Sequence, residues 1–265
     1  MKKYLVIGNP VEHSLSPKLH NYWFKKNKVD AVYEKKQINL SDIKEIINNL
    51  RKENISGVNV TVPFKKAVIS FLDEMTPLAK ETQSVNTIYK EKEKIIGDNT
   101  DVYGFSQALN QIQFNSEGKK IFILGSGGVV PSLVVALRKL KASKIIVSNR
   151  TKEKAEILKK TYPFIEVVEW GKIKSFDMIV NATTLGLKDS DEIYLDYKEI
   201  GKNKLFYDII YNPKKTKFLL KAKEFGNKVE NGKTMFAFQA QLAFQVWHKI
   251  KPAIDKETLE ILEND

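Results

Sequence analysis

The stretch I-F-I-L-G-S-G-G-V-V, Ile121 to Val130, decides the fold of the second half of the chain. Its apolar run Ile121–Leu124 predicts a buried strand, and the glycines after it predict a tight turn. The apolar residues that continue to Leu140 predict a helix, and Lys144–Ser148 predicts a second strand. In a strand–turn–helix unit of this kind Gly125 permits the turn and Gly127 lets a pyrophosphate approach the backbone. The helix N-terminus then offers unpaired N–H groups to the phosphates. The third glycine of the dinucleotide fingerprint is absent, with Val130 in its place. A capped turn without a ligand remains the bland alternative, and the strand-helix-strand context favours a dinucleotide site.

The end of the second strand selects the nucleotide. An NAD site wants an acid there to accept from the ribose 2′-hydroxyl. This chain has Ser148-Asn149-Arg150-Thr151, with Lys154 one turn later and no acid at the strand end. A guanidinium can hold a 2′-phosphate bidentately and stack on adenine, so NADP is expected. Asn181-Ala182-Thr183-Thr184-Leu185-Gly186 follows a predicted strand Asp177–Asn181, and its polar residues suit the middle of a cofactor or simply a capped turn.

The alternation of strands and helices extends in both directions from this unit. Toward the C-terminus it predicts helix Lys152–Tyr162, strand Leu205–Asp208, helix Lys214–Phe225 and strand Lys228–Glu230. Helical regions Lys233–Ile250 and Lys256–Leu262 follow. Toward the N-terminus it predicts strands Lys3–Gly8, Ala31–Ile38 and Gly57–Val62 with helices Pro17–Lys26 and Asp42–Lys52, the latter capped by Ser41. A hairpin is predicted over Asn86–Gly97 and a helix over Val102–Leu109. The restart of the pattern implies two α/β domains. Residues 1–101 and 233–265 would form a discontinuous substrate domain, and 102–232 a Rossmann-type NADP-binding domain.

Composition bounds the rest. The 265 residues are 42% hydrophobic with no cysteine, which implies packed cores and excludes disulfides and thiolate zinc sites. No basic-then-apolar leader and no long apolar run appears, so a cytoplasmic protein without a membrane segment is expected. The formal charge of +12 raises the question of nucleic acid. The lysines are scattered and only Arg51, Arg138 and Arg150 are arginine, so a field that collects small anions is the better reading, with no nucleic-acid partner. No metal is expected.

Several polar residues sit just past predicted strands. Ser14 and Ser16, in H-S-L-S-P, could hold a carboxylate, or Ser16 could cap the helix that Pro17 opens. Thr61 and Lys65 lie in N-V-T-V-P-F-K, and Asn86 opens the hairpin. Gly97-Asp98-Asn99-Thr100-Asp101 closes it, and Asp101 could be a simple helix cap. Each of these residues alone has a structural explanation, and Lys65 alone would be a surface lysine.

Their joint order is specific. S-x-S-P, N-V-T-V-P-F-K, N-T, G-x-N-T-D, G-x-G-G, N-R-T, N-A-T-x-x-G, D-x-x-Y-x-P-x-x-T and G-x-x-M-x-x-x-Q occur in that sequence from about Lys3 to Trp247. This chain resembles the shikimate dehydrogenases, which reduce 3-dehydroshikimate to shikimate with NADPH in aromatic amino-acid biosynthesis. The resemblance implies that Ser14 and Ser16 bind the substrate carboxylate. It implies that Thr61, Asn86 and Gln239 hold ring hydroxyls, and that Lys65 and Asp101 are the catalytic pair. Gly125, Ser126, Gly127 and Gly128 would carry the pyrophosphate, with Asn149, Arg150, Thr151 and Lys154 around the 2′-phosphate. Asn181 and Thr183 would line the cofactor. Tyr211 and Gly232 would sit near substrate and nicotinamide, and Met235 beside the nicotinamide. Val129, Val130 and Phe236 depart from the usual residues. The resemblance also implies a cleft between domains that can close, and a monomer or homodimer. A quinate-tolerant, NAD-using relative is the rival, against which the N-R-T run argues.

Overall fold

The computed structural model describes residues 1–263. The chain divides into two compact units, Met1–Phe105 with Ala237–Asp265, and Ser106–Phe236.

The first unit is built from β1 (Lys2–Gly8), α1 (Ser16–Lys26), β2 (Ala31–Gln37), α2 (Ile43–Arg51), β3 (Gly57–Val60), β4 (Glu74–Met75), α3 (Pro77–Thr82), β5 (Thr87–Glu91) and β6 (Lys94–Asp98). Helix α4 (Asp101–Gln111) then leads out of the unit. Its sheet runs β2-β1-β3-β5-β6-β4, with β2, β1 and β3 parallel and β5 antiparallel to both β3 and β6. Leu5, Ile7, Val58, Val60 and Ile88 face Ile43, Ile46, Ile47 and Leu50 of α2, which recur at helical spacing. Tyr4, Asn59 and Tyr33 belong to the opposite face. Both faces of β3 are buried, where alternation alone predicts one solvated side.

The second unit contains β7 (Lys120–Leu124), α5 (Val130–Lys139), β8 (Lys144–Ser148), α6 (Lys152–Thr161), β9 (Glu166–Val168), β10 (Met178–Asn181), α7 (Tyr197–Ile200), β11 (Leu205–Asp208), α8 (Lys217–Glu224) and β12 (Lys228–Glu230). All six strands are parallel, in the order β12-β11-β10-β7-β8-β9. That is the Rossmann order, with the switch point between β7 and β10. Helix α9 (Lys233–His248) carries the chain back to the first unit, which ends with α10 (Lys256–Ile261). The sequence-based boundaries at 101/102 and 232/233 fall at the N-terminal ends of α4 and α9, and the units divide a few residues inside those helices.

The returning segment of α9 lies on the aromatic face of the first sheet. A Cβ at Gly57 would sit 2.6 Å from Trp247 Nε1, so only glycine admits the indole there. His20, Trp23, Phe24, Tyr33, Phe244 and Trp247 form one ring cluster around it. Each buried aromatic contributes on the order of 2–3 kcal/mol of transfer free energy.

Some local expectations are corrected. Ser41 does not cap α2: it lies in a 3-10 turn, where Asn39 and Asp42 bond reciprocally. The third strand ends at Val60 because Pro63 ends the ladder and Val62 is exposed. Helix α8 begins at Lys217, three residues later than periodicity suggests, because the Thr216 hydroxyl accepts from Leu219 N. β4, α3, β9 and α7 are too short to show a period in sequence.

Candidate active site

Topology gathers the polar residues of the first unit at one end of its sheet. Ser14 and Ser16 follow the C-terminal end of β1, and Thr61 follows the same end of the parallel neighbour β3. β5 runs the other way, so Asn86 precedes it at that end, where Thr87 pairs with both Asn59 and Asp98. Asp101 then opens α4 just past β6.

Lys65 and Asp101 meet there. Lys65 Nζ donates to Asp101 Oδ2 at 2.6 Å, with the two side chains 11% and 7% exposed. The second carboxylate oxygen, Oδ1, accepts from Asn86 Nδ2 at 3.0 Å. Asp101 is not the helix cap: Asn99 Oδ1 accepts from Val102 N, which leaves the Asp101 carboxylate to Lys65 and Asn86. Val85 N donates to Lys65 O at 2.9 Å, so backbone pairing ties the lysine loop to the hairpin.

Asn86 is buried and heavily bonded. Its Oδ1 accepts from Thr100 N at 2.8 Å, and its Nδ2 lies 3.4 Å from Gln239 Oε1. Gln239, on the returning helix, is half-buried and thus reaches the same cluster. The Ser14 hydroxyl donates to Ser16 Oγ at 3.2 Å and accepts from Ser16 N. The two hydroxyls come together through a turn rather than along an extended segment, because Leu15 is helical in its backbone angles. Neither serine caps α1. Thr61 packs its methyl group on Gly8, where a Cβ would come within 2.4 Å of Thr61 Cγ2. Sequence reasoning missed Asn99, Thr100 and Thr87 as members of this network. The G-x-N-T-D and N-T strings were the available signal.

The second unit carries the glycine turn at its switch point. Gly125 has φ +108°, and a Cβ there would lie 2.7 Å from Ala182 O on the neighbouring strand's exit. Gly125 N donates to Ser148 O at 2.7 Å, which joins the turn to the end of β8. A Cβ on Gly127 would meet nothing within 4 Å. The Ser126 hydroxyl is buried without a partner among the described residues, and α5 starts with no side-chain cap. These features fit a pyrophosphate, which needs open space, a donor and free N–H groups. Val130 is fully buried in the helix–sheet contact, so the missing third glycine is accommodated by packing.

Arg150, Thr151 and Lys154 are exposed beyond β8, and neither cation has an acidic partner among the described residues. Asn149 Nδ2 donates to Thr151 O, which shapes that loop. Asn181 is fully buried. Its Nδ2 donates to Leu185 O and Asp208 Oδ1, while its Oδ1 accepts from Thr183 N and Oγ1. Asn181 and Thr183 therefore form the frame of the loop after β10. Burial raises the Asp208 carboxyl to about 6, against the lowering effect of its bonds from Thr216, Ile210 N and Asn181. A Cβ at Gly232 would sit 2.0 Å from Ile209 O, so glycine lets these backbones meet. Tyr211 packs on Phe236 at 4.6 Å, and Met235 is buried nearby in sequence.

Comparison with known proteins agrees with this arrangement. Residues 6–88 match the family described as shikimate dehydrogenase substrate binding domain, and residues 107–192 match shikimate / quinate 5-dehydrogenase. The chain is 55% identical over 262 residues to a shikimate dehydrogenase (NADP(+)) of Pelagibacter ubique, covering 99% of both chains. The crystal structure of shikimate dehydrogenase from Aquifex aeolicus superposes with a TM-score of 0.90 at 38% identity, over 100% of this chain and 98% of that one. The Thermus thermophilus enzyme, solved in complex with NADP(H) and shikimate, superposes with a TM-score of 0.90 at 31% identity over 99% of each chain. The chain belongs to the shikimate dehydrogenase family.

Proposed function

We infer that this protein catalyses the reversible, NADPH-dependent reduction of 3-dehydroshikimate to shikimate. The observation that carries this reading is the buried Lys65–Asp101 pair at 2.6 Å, set among Asn86 and Gln239 at one end of the first sheet. NADPH supplies the hydride. As the carbonyl carbon accepts it, the π electrons of the C=O bond move onto oxygen. The Lys65 ammonium stabilises that charge and delivers a proton to it, and solvent then reprotonates the amine. Asp101 holds the ammonium in line, and Asn86 holds Asp101.

The remaining assignments follow the chemistry of each group. The paired hydroxyls of Ser14 and Ser16 bind the ring carboxylate, and Thr61, Asn86 and Gln239 bind ring hydroxyls. The Thr61 hydroxyl has no protein partner among the described residues, which suits that role. Gly125, Ser126, Gly127 and Gly128 take the pyrophosphate. Asn149, Arg150, Thr151 and Lys154 take the 2′-phosphate, which an acid would repel. Tyr211, Gly232 and Met235 lie toward the nicotinamide, and Asn181 and Thr183 shape the loop beneath the cofactor. The enzyme acts on a small molecule in the cytoplasm, as a monomer or homodimer, without nucleic acid or membrane. Initial rates of NADP⁺ reduction with shikimate, beside quinate and NAD⁺ controls, test this. Absence of shikimate-dependent NADPH, or faster turnover of quinate, would overturn it.

A further inference from the structure

The hydrogen bonds behind Asn86 continue to a residue three strands away. Asn86 Oδ1 accepts from Thr87 Oγ1 at 3.2 Å. Asn59 Nδ2 donates to Thr87 Oγ1 and to Asn86 O, each at 3.0 Å. Asn59 Oδ1 in turn accepts from the Tyr33 hydroxyl at 2.7 Å. Tyr33 lies on β2 and Asn59 on β3, with β1 between them. Tyr33, Asn59, Asn86, Thr87 and Asp101 are all buried. The series ends at Lys65 through Asp101.

Backbone groups determine the direction of the two amides in this series, whereas the Thr87 and Thr100 hydroxyls lie 3.4 Å apart and either can donate to the other. An amide has one acceptor end and one donor end, and it can turn over unless its partners discriminate. The backbone oxygen of Asn86 can only accept, so it requires the nitrogen of Asn59 on that side. The Tyr33 O–H supplies the donor that the opposite end needs. With Asn59 so oriented, the Thr87 hydroxyl receives an N–H and can give its own hydrogen to Asn86 Oδ1, which also accepts from Thr100 N. Asn86 then presents Nδ2, not Oδ1, to the Asp101 carboxylate. The reverse orientation would set two oxygens against each other. An apolar residue at Asn59 would pack on an aromatic face without desolvation cost, so a buried amide there calls for another explanation.

We propose that Tyr33, Asn59 and Thr87 are positioning residues that act with the Thr100 N–H to fix the amide of Asn86, and through it the Asp101 carboxylate that aligns Lys65. The proposal rests on the reading of Lys65 and Asp101 as the reacting pair. It is tested with Tyr33→Phe, which removes one O–H and keeps the ring, with Thr87→Val, which removes a hydroxyl at nearly constant shape, and with Thr87→Ser. The first two variants are expected to lower kcat about 3- to 10-fold, the effect of one lost hydrogen bond. The KM for shikimate stays within about two-fold, and the kcat–pH profile is displaced. Thr87→Ser keeps kcat within about two-fold of the parent. A second readout needs no turnover: labelling of Lys65 by an amine-selective acylating reagent, read by peptide mass spectrometry. Labelling is expected to quicken about 3-fold in Tyr33→Phe and Thr87→Val as the ion pair loosens. If the parent oxidised no shikimate, the proposed function would fail, and the labelling ratio would judge the relay by itself. Unchanged kcat and labelling, or a kcat loss that tracks melting temperature with an unmoved pH profile and labelling rate, would overturn the proposal.

Discussion

Replacing His20 with phenylalanine should make the protein markedly more resistant to acid. His20 is fully buried on α1, its ring stacked 4.4 Å from Tyr33 and edge-on to Trp23, with Phe24, Phe244 and Trp247 around it. Neither ring nitrogen has a hydrogen-bond partner among the described residues. Burial, reinforced by repulsion from His248, lowers its pKa to about 3. The other charge near this corner is Lys2, which acts on His248, itself lowered to about 4 mainly by burial.

The sign follows from proton counts. In the unfolded chain His20 takes up a proton below about pH 6.5, while in the folded protein it stays neutral to about pH 3. Between those values the unfolded state binds more protons, so stability rises with pH and falls on acidification. With one pKa unit equal to about 1.36 kcal/mol, the loss is about 2 kcal/mol at pH 5 and about 3 kcal/mol at pH 4. Phenylalanine carries no proton to bind and fits the same ring cluster. Urea unfolding of parent and variant at pH 7, 5 and 4 measures the effect. The two stability curves should lie close at pH 7 and diverge by those amounts on acidification. Parallel curves across the range would refute the reasoning, because other titrating groups are common to both proteins.

Three functional substitutions complete the set. Lys65→Ala should lower kcat by about 10²-fold or more and leave the KM for shikimate nearly unchanged; near-normal kcat would remove the lysine from the chemistry. Arg150→Ala should raise the KM for NADPH and narrow its preference over NADH by about tenfold, as loss of one charge-assisted contact implies; an unchanged preference would displace the 2′-phosphate from this loop. Gly125→Ala should weaken NADPH binding, read by fluorescence titration, because φ +108° and a Cβ 2.7 Å from Ala182 O force the turn to shift. An unaltered affinity would show that the turn does not carry the cofactor.

What sequence could show depended on the length of the signal. The Rossmann unit was legible because β7, the glycine turn and α5 occur within one local stretch and the following strands repeat the pattern. The hairpin of β5 and β6 was legible but its place was not: β5 inserts antiparallel beside β3, and only tertiary contact decides that. Lys65 and Asp101 could be joined only through the order of motifs, since they lie 36 positions apart. The helix ends depended on single side chains. Asn99 took the capping bond that Asp101 could have made, and Thr216 set the start of α8. Asn181 could in sequence line a cofactor or cap a turn, and its amide is engaged by its own loop and by Asp208 at the end of β11.

The Lys65–Asp101 pair is a poor device for stability, and that is an argument about its purpose. Desolvating two charges costs several kcal/mol per ion, and their attraction returns this only when every remaining lone pair is bonded. The fold gives the second carboxylate oxygen a partner in Asn86, and Asn86 partners in Thr87 and Thr100. Apolar side chains of similar volume would pack at this sheet end with fewer conditions. What they could not do is hold an ammonium still, as the proposed stabilisation of a carbonyl oxygen that gains charge only in the transition state would require. The long series of buried amides and hydroxyls behind one lysine is therefore what the proposed proton donor would require, and the aromatic cluster of His20 and Tyr33 gives that series a packed end.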